Sequence, residues 1–338
     1  MSESRPPSRL WLMGGVRSVL SWRLFWPACA LVMLVIVNLV VTPSFGHLEW
    51  RDGRWYGAIV DVARNSAGIA MLALGMTLVI AAAGIDLSVG SVMALSGAVA
   101  ALGLTDWQWS VPASVAAGLG AGLVVGLWNG ALVTWVGLQP ILVTLVMLVA
   151  GRGLAQALTG DQKIRFELPV FEQLATGSVL GCPTPAVIAA AATITVALLL
   201  RANVLGLYLE AVGTNPRAAV LCGLPVHRVR LAAYGLSGLS AAAAGLIATA
   251  EIKEADVANA GLYAELDAIL AVVIGGTPLT GGKPRILGSI LGVLIMRILT
   301  TMLQMHSVTT EHTLVLKAAV ALGVCLLQAP KWRRGYAS

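Results

Sequence analysis

Long apolar segments separated by short polar stretches recur along most of the chain. A helix needs about 20 apolar residues to cross a hydrocarbon layer of about 30 Å, and most of these segments approach that length. They are too long and too evenly apolar for the roughly ten-residue alternating strands of a barrel. Because lipid offers the backbone no hydrogen-bonding partner, helices are the structure that fits. The pattern predicts about ten spans, near residues 24–42, 66–83, 88–104, 111–135, 139–158, 184–201, 231–250, 266–276, 286–304 and 312–328.

The predicted fold is all-α, a polytopic membrane bundle in a single domain. Basic residues precede the first apolar segment, so a cleaved signal peptide is an alternative to a retained span. The segment is longer than the core of a signal peptide, and no small-residue cleavage site precedes Thr42. We therefore predict a retained span. The domain, residues 1–338, divides into an N-terminal tail (1–23), the bundle (24–328) with a polar loop inside it (202–229), and a C-terminal tail (329–338).

The composition agrees with a membrane protein. Hydrophobic residues make up 58% and charged residues 11% of the chain, so the charges are too few to cover a soluble surface, which takes about 25%. The net charge of +6 does not indicate nucleic-acid binding, because the basic residues form no patch with interleaved aromatics. The four cysteines are scattered without a paired motif, which indicates neither a metal site nor a disulfide framework.

Lysine and arginine are distributed unevenly between the two sides of the membrane. With the N-terminus inside, thirteen of them fall in inner segments and six in outer segments, which satisfies the positive-inside rule. Nine acidic residues fall in outer segments: Glu49, Asp52, Asp61, Asp161, Glu167, Glu172, Glu251, Glu254 and Asp256. We therefore predict that both termini are cytoplasmic, with residues 43–64 and 159–183 on the outer side.

Two polar interruptions divide the apolar pattern in a similar way. Residues 84–91 (GIDLSVGS) and residues 276–282 (GTPLTGG) each connect a segment that enters from outside with one that returns. This similarity suggests an internal repeat of the same orientation, an arrangement that transporters use. Asp86 also has a purely structural interpretation, because a carboxylate just before a helix caps its free N–H groups.

Glycine recurs at every fourth position of one apolar segment, at Gly118, Gly122, Gly126 and Gly130. Such a stripe lets helix backbones approach closely and gain dispersion contacts in lipid. A gate or a contact between subunits is one interpretation. Packing within the chain is the interpretation that we favour.

The polar loop between Arg201 and Arg230 is the most informative segment. Asn215-Pro216 is typical of a helix start, since asparagine caps the first N–H groups and proline suits the first turn. Gly223 is a natural stop about two turns later. The pattern predicts a short helix on the inner face between two spans, the kind of element that a soluble motor protein can push.

Four motifs carry a resemblance to a known family. They are GMTLVI at 75–80, GIDLSVG at 84–90, EAVGTNPRAA at 210–219 followed by Gly223, and LDAILAVVIGG at 266–276. Through them the chain resembles, from about residue 60 to 328, the permease subunits of bacterial ribose-type ATP-binding-cassette (ABC) sugar importers. Within that family it is similar to the galactofuranose branch through WNG at 128–130, LQP at 138–140, VAGRG at 149–153 and AGLY at 260–263.

The resemblance implies an importer to which a periplasmic sugar-binding protein delivers the substrate and for which a separate cytoplasmic ATPase supplies the energy. Two permease chains would enclose the path: two different chains in the galactofuranose branch, with two identical chains as the alternative. The chain would lie in the bacterial inner membrane and would not be an enzyme by itself. The residues implied in coupling to the ATPase are Glu210, Gly213, Asn215, Pro216, Arg217, Ala218, Ala219 and Gly223.

Residues 277–284 are the nearest approach to a phosphate-binding loop. They lack the leading glycine and the terminal serine or threonine that such a loop needs. We therefore predict that this chain binds no cofactor, and that ATP and magnesium bind the partner ATPase. The Thr277-Pro278 and Lys283-Pro284 pairs also depart from the Ser/Gly-rich turn expected in the family.

Polar side chains inside spans are candidates for the sugar path, because they are costly in lipid and a sugar that sheds water needs hydrogen-bonding partners. Arg152 offers five fixed donors, although an ion pair with Asp267 or a position at the outer surface would also explain it. Glu265 and Asp267 fall in the first turn of a helix, where the helix dipole alone favours acids. The candidates are Asn129, Thr144, Arg152, Gln156, Glu265 and Asp267.

Two alternatives belong to other functional classes. Residues 235–238 (GLSG) match the GxSG pattern of rhomboid-type intramembrane proteases, in which the serine pairs with a later histidine. Only His306 and His312 follow Ser237, and both flank an outer loop, whereas Ser237 is nearer the inner end of its span. An ion-coupled secondary transporter would need a buried carboxylate, and we expect no Asp or Glu in the middle of a span.

Overall fold

The computed structural model describes residues 24–51 and 53–328, and most of them are helical. The predicted tails at 1–23 and 329–338 lie outside this range. In chain order the helices are α1 (Phe25–Val41), α2 (Ala58–Ala81), α3 (Val89–Leu104), α4 (Val111–Ala131, continued by a π-helical turn over Leu132–Val136), α5 (Pro140–Thr159), α6 (Pro169–Thr176), α7 (Thr184–Ala202), α8 (Leu205–Thr214), α9 (Pro216–Leu221), α10 (Val226–Ile252), α11 (Ala264–Ile274), α12 (Ile286–Met305) and α13 (Thr310–Gln328).

Three two-stranded antiparallel ladders join segments between helices. Their strands are β1 (Glu49–Arg51) with β2 (Arg54–Tyr56), β3 (Ile164–Arg165) with β6 (Glu254–Ala255), and β4 (Ser178–Val179) with β5 (Cys182–Pro183). The β3–β6 ladder brings the segment after α5 next to the segment after α10. We call this end of the bundle the Lys163 end, and the opposite end, which carries the α8–α9 loop, the Asn215 end.

The structure confirms the all-α membrane bundle in outline. Each predicted span coincides with a helix, and six helices of the described chain are long and apolar enough to cross a membrane: α2, α4 with its π turn, α5, α7, α10 and α12. Helices α1 and α3 are apolar but shorter. The exact number of ten spans therefore stays a prediction.

Several helices extend beyond the predicted apolar windows. Helix α2 begins at Ala58 rather than near residue 66, and α10 begins at Val226 rather than near 231. The added turns contain charged residues such as Arg64 and Arg230. A hydropathy pattern ends where charges begin, whereas a helix continues as long as its backbone stays hydrogen-bonded.

Helix α10 is the central helix, packed against α2, α3 and α4. Small residues permit the closest of these contacts. A methyl group at Gly126 would overlap the carbonyl of Tyr234, and one at Gly238 would overlap the carbonyl of Gly122. The glycine stripe of α4 is therefore covered within the chain, in agreement with the packing interpretation.

We expect Gly126→Ala to destabilise the bundle and Gly120→Ala to leave it intact. Overpacking a tight contact costs about 1–3 kcal/mol, and the methyl group at position 126 would meet backbone. Gly120 lies on the same helix, but a methyl group there would meet no atom within 4 Å, and alanine favours helix by up to about 1 kcal/mol. Thermal unfolding of both purified variants in detergent measures the difference. Equal midpoints would contradict a close α4–α10 contact.

Candidate functional site

The segment between α2 and α3 is buried inside the bundle. Helix α2 has 24 residues and α3 has 16, which correspond to lengths of about 36 and 24 Å. Helix α3 therefore begins below the Asn215 end of the bundle. The side chains at this start are enclosed, because Asp86 is 1% exposed and Ser88 is fully buried. The interruption predicted at residues 84–91 is thus an interior break between two helices.

Asp86 organises a hydrogen-bond network at this break. Its Oδ1 accepts from the backbone N–H of Ser88 (3.0 Å) and from the Ser88 hydroxyl (2.6 Å). Its Oδ2 accepts from the hydroxyl of Ser237 on α10 (2.9 Å). The Ser88 hydroxyl in turn accepts from Asn129 Nδ2 on α4 (2.8 Å). Ser88 is the N-cap residue of α3, and no side-chain cap hydrogen bond is seen there among the described residues. Asp86 therefore does not cap the free N–H groups of the helix as its structural interpretation predicts. It fixes the turn just before α3 and links the break to α10 directly and to α4 through Ser88.

Two hydroxyl groups, Thr144 on α5 and Ser91 on α3, join helix α5 to the same break. The Thr144 hydroxyl lies 3.2 Å from the carbonyl oxygen of Ile85 and 3.0 Å from that of Pro140. The Ser91 hydroxyl lies 3.1 Å from the carbonyl oxygen of Met147. Two predicted path residues, Asn129 and Thr144, therefore converge here. Asn129 Oδ1 is buried and has no hydrogen-bond partner in the described part of the chain.

Arg152 holds the loop before α11. Its guanidinium donates to the carbonyl oxygens of Val257 (2.8 Å), Ala258 (2.9 Å) and Ala260 (3.1 Å). Helix α11 has only 11 residues, about 16 Å, so this loop descends from the Lys163 end into the bundle. The guanidinium thus binds the backbone carbonyls of the loop. It does not form the ion pair with Asp267 that was one of the explanations for this residue.

Glu265 lies where this descending loop meets the start of α3. A methyl group at Gly90 would overlap the carbonyl of Gly261 and would lie 2.6 Å from Glu265 Oε2. The Glu265 side chain is 9% exposed, and its Oε2 has no hydrogen-bond partner within the described residues. Two buried acceptor oxygens, Glu265 Oε2 and Asn129 Oδ1, therefore lie near the start of α3 without a hydrogen-bond donor among the described residues.

The other two predicted path residues lie elsewhere. Gln156 is partly buried one turn beyond Arg152, and no hydrogen bond of its side chain is seen in the described range. Asp267 pairs with Lys317 of α13, whose Nζ is 3.0 Å from Oδ2. Arg297 lies beside that pair, with a buried Nε that has no hydrogen-bond partner among residues 24–51 and 53–328.

Charged residues cross-link the Lys163 end. Lys163 contacts Asp256 (2.6 Å) and Glu254 (3.3 Å), and Arg165 contacts Glu254 (3.0 Å). The hydrogen bonds from Arg165 and Lys163 hold the pKa of the Glu254 carboxyl below its ordinary range. The basic partners Lys163 and Arg165 are 52% and 82% exposed, so water screens each pair and its contribution to stability is small. The pairs connect β3 with β6.

The α8–α9 loop contains the short helix that the sequence predicts. Asn215 Oδ1 accepts from the Ala218 N–H (3.0 Å), and Pro216 is the first helical residue. The helix ends at Leu221, and Gly223 has the left-handed backbone (φ +76°) typical of a helix stop. Ala219 is buried and anchors the helix, whereas Leu221 is 89% exposed. Arg217 and Ala218 are exposed as well, and Glu210 is partly buried on α8.

The structure does not support the protease alternative. Ser237 is fully buried, and its hydroxyl donates to Asp86. The histidines that follow it contact other groups, His306 the carbonyl of Met302 and His312 the hydroxyl of Thr309. A serine nucleophile needs a base within about 3 Å, and neither histidine supplies it.

The argument against an ion-coupled transporter expects no Asp or Glu in the middle of a span, and Asp86 and Glu265 do not lie there. Both are nevertheless buried, Asp86 between two helices and Glu265 in the first turn of α11. Each lies next to a span in the sequence, so a window of hydropathy assigns it to a loop. The short lengths of α3 and α11 bring these loops into the bundle.

Comparisons with known proteins agree with this architecture. The chain is 43% identical over 315 residues to the galactofuranose transporter permease protein YtfT of Escherichia coli K12, and the match covers 92% of each chain. It is 40% identical to the fructose import permease protein FruF of Bifidobacterium longum, over 94% of this chain and 90% of that protein. It is 34% identical to the ribose import permease protein RbsC of Escherichia coli K12, over 89% of this chain and 92% of that protein.

No solved structure matches the chain significantly. The model of one protein family, described as branched-chain amino acid transport system / permease component, matches residues 58–325. This range runs from the start of α2 to within α13 and includes the α2–α3 break, the descending loop and α9. The chain therefore belongs to this family of membrane transport permeases.

Proposed function

We propose that this chain is the membrane permease subunit of a bacterial ABC importer that translocates a monosaccharide, with galactofuranose as the first candidate and ribose or a similar sugar as the next. The observation that carries the proposal is the end-to-end similarity to sugar import permeases, 43% over 92% of both chains for the galactofuranose protein. The exposed, capped helix α9 supports it, because an importer needs a rigid element that its ATPase can contact.

The sugar path is proposed to pass the start of α3. Of the six candidates, Asn129 and Glu265 each have a buried acceptor oxygen without a partner in the described chain. A sugar hydroxyl can donate a hydrogen bond to each of these oxygens. Such bonds would offset the free-energy cost of removing the sugar from water. The hydroxyl of Thr144 and the guanidinium of Arg152 are already engaged with backbone carbonyls. They would then position the wall of the path, with Gln156 and Asp267 farther away.

The distribution of charged residues between the two ends of the bundle supports a proposal for the orientation of the chain in the membrane. Basic residues such as Arg217, Arg228 and Lys283 belong to the Asn215 end, and acidic residues such as Glu172 and Glu254 belong to the Lys163 end. With the Asn215 end in the cytoplasm of an inner-membrane protein, both termini are cytoplasmic. Helix α9 then faces the ATPase, which carries ATP and magnesium, and the Lys163 end faces a periplasmic sugar-binding protein. A second permease, of different sequence in the favoured arrangement, completes the path.

Reconstitution tests this function. Proteoliposomes that contain the permease and its ATPase, supplied with the binding protein and radiolabelled galactofuranose, should accumulate sugar only with ATP, and this chain alone should hydrolyse none. A hydrolysis-deficient ATPase is the control and should abolish uptake. Uptake driven by a proton or sodium gradient without ATP would instead support the ion-coupled transporter. Ribose competing with galactofuranose would identify the sugar class.

A further inference from the structure

The descending loop, residues 256–263, reaches deep into the bundle. It runs from the end of β6, at the Lys163 end, to the start of α11. A methyl group at Gly261 would lie 2.5 Å from the carbonyl oxygen of Gly90. Helix α3 continues from Gly90 to Leu104 at the Lys163 end, a distance of about 21 Å. The lower part of the loop is therefore about 20 Å away from the Lys163 end.

One side of this loop is exposed at that depth. Ala258 and Asn259 are exposed, as are Leu262 (50%) and Tyr263 (57%). The hydrocarbon layer is about 30 Å thick, so the lower part of the loop lies within it. Lipid offers no hydrogen-bonding partner to irregular backbone, which is stable at this depth only inside protein or along a water-filled cavity. The exposed side of the loop therefore faces the interior of the assembled transporter and not lipid.

Tyr263, on the exposed side, has an unusual backbone conformation. Its φ of +61° and ψ of 6° are left-handed, a conformation that is unfavourable for a bulky residue and that glycine adopts freely. Its carbonyl oxygen accepts from the Leu266 N–H (3.1 Å), a bond that glycine would also form. The start of α11 therefore gives no reason for a tyrosine here. Residues held in such strained conformations cluster at ligand sites.

The chemistry around Tyr263 suits a sugar. A monosaccharide carries C–H groups on the faces of its ring and hydroxyls around its edge, and a tyrosine ring presents a large apolar face. Glu265, two residues later, has a buried Oε2 without a hydrogen-bond partner in the described chain. One turn of the chain thus offers a flat apolar surface and a hydrogen-bond acceptor.

We propose that Tyr263 is a sugar-contacting residue, whose ring is the platform on which the C–H face of the sugar packs as it passes the start of α3. The exposed side of the descending loop then lines a water-filled path between the two permease chains. The proposal rests on the function proposed above and adds an aromatic residue to a path whose six candidates are all polar or charged.

Tyr263→Gly tests the platform in the reconstituted complex. We expect galactofuranose uptake to fall about tenfold, the factor that corresponds to a loss of about 1.4 kcal/mol of interaction. The thermal unfolding midpoint of the purified permease should not fall, since glycine adopts a positive φ without strain. A residue that only packs would lose stability together with uptake. Uptake at the wild-type rate, or a lowered midpoint, would overturn the proposal.

Tyr263→Phe is the matched control. It keeps the aromatic ring and the strained backbone and removes only the hydroxyl, so uptake should stay near that of wild type. Tyr263→Asn removes the ring but tolerates a left-handed backbone, so it should lose uptake as Tyr263→Gly does. If Tyr263→Phe loses as much uptake as Tyr263→Gly, the hydroxyl and not the ring is required, and the platform is wrong.

Access to water is a second measurement that does not depend on transport. Leu262→Cys and Leu198→Cys are compared in a background in which the four native cysteines are serine. Leu198 is 59% exposed on α7, and the helix begins at Thr184, about 21 Å away, so the two positions match in depth. A charged, membrane-impermeant thiol reagent added to vesicles of the whole complex should label position 262 and leave position 198 unlabelled. No labelling at 262, or equal labelling at both, would contradict a water-filled path along the loop.

This proposal and the proposed function fail in different ways. If the wild-type complex does not transport sugar with ATP, the proposed function is wrong. If the wild type transports normally and Tyr263→Gly does too, or position 262 is closed to water, only the role of Tyr263 and its loop is wrong.

Discussion

Leu221→Asp is expected to weaken binding of the ATPase to the permease at least tenfold without lowering the amount of permease in the membrane. Leu221 is 89% exposed at the end of α9, and an exposed leucine on a short rigid helix suits a partner's pocket. Burying a leucine in an interface contributes about 1.5–3 kcal/mol, and burying an unpaired carboxylate instead costs more. A difference of 1.4 kcal/mol is tenfold in affinity, so the loss should exceed that factor.

The measurement is the affinity of the purified ATPase for the permease in detergent, together with stimulation of ATP hydrolysis in vesicles. Leu180→Asp is the matched control, since Leu180 is 95% exposed at the Lys163 end and should not affect the ATPase. Unchanged affinity in Leu221→Asp would mean that another surface docks the ATPase. A bulkier probe of the same helix, Ala218→Trp, should also impair coupling.

Gly223 is a less direct probe of docking than its position beside α9 suggests. Its left-handed backbone (φ +76°) is strained for any residue with a side chain. Gly223→Glu would therefore alter the end of the helix as well as its surface. A loss of transport in this variant would not separate a docking role from a structural one, which is why Leu221 and Ala218 are preferred.

Features determined within a few residues could be predicted from the sequence. The cap and start of α9 follow from Asn215-Pro216, because both act on the first turn of their own helix. The break after α2 follows from GIDLSVGS for the same reason. The all-α bundle follows from the apolar segments, since lipid forces the backbone to bond within each helix.

Contacts between distant segments could not be predicted in this way. The GxSG sequence around Ser237 resembles a protease motif, yet the neighbouring glycine serves the close contact with α4 and the serine bonds to Asp86, 151 positions away. Arg152 is a candidate for the sugar path in the sequence, with an ion pair or a position at the outer surface as alternatives, and its donors reach a loop more than 100 positions away. In both cases the partner is a backbone or side-chain atom that no local pattern identifies.

Asp86→Ala is expected to be among the most destabilising single substitutions in the chain. It would leave the Ser88 N–H and the hydroxyls of Ser88 and Ser237 without their acceptor in a buried site. A buried polar group without a partner costs about 1–3 kcal/mol, and hydroxyls recover part of this by rotating, so we expect a loss of about 3 kcal/mol. Asp86→Asn keeps one acceptor oxygen and should lose less. Transport should fall in the same order.

The measurement is a double-mutant cycle on thermal unfolding in detergent. Ser237→Ala alone should cost about 1 kcal/mol, because it removes one hydrogen bond, and it should cost much less when Asp86 is already alanine. That non-additivity isolates the Asp86–Ser237 contact between the α2–α3 break and the central helix. Asp106→Ala is the control, since this carboxylate is exposed and accepts a hydrogen bond from the neighbouring Thr105 hydroxyl. Strictly additive effects at positions 86 and 237 would mean that the carboxylate does not hold α10 to the break, and that Asp86 acts only on the turn before α3.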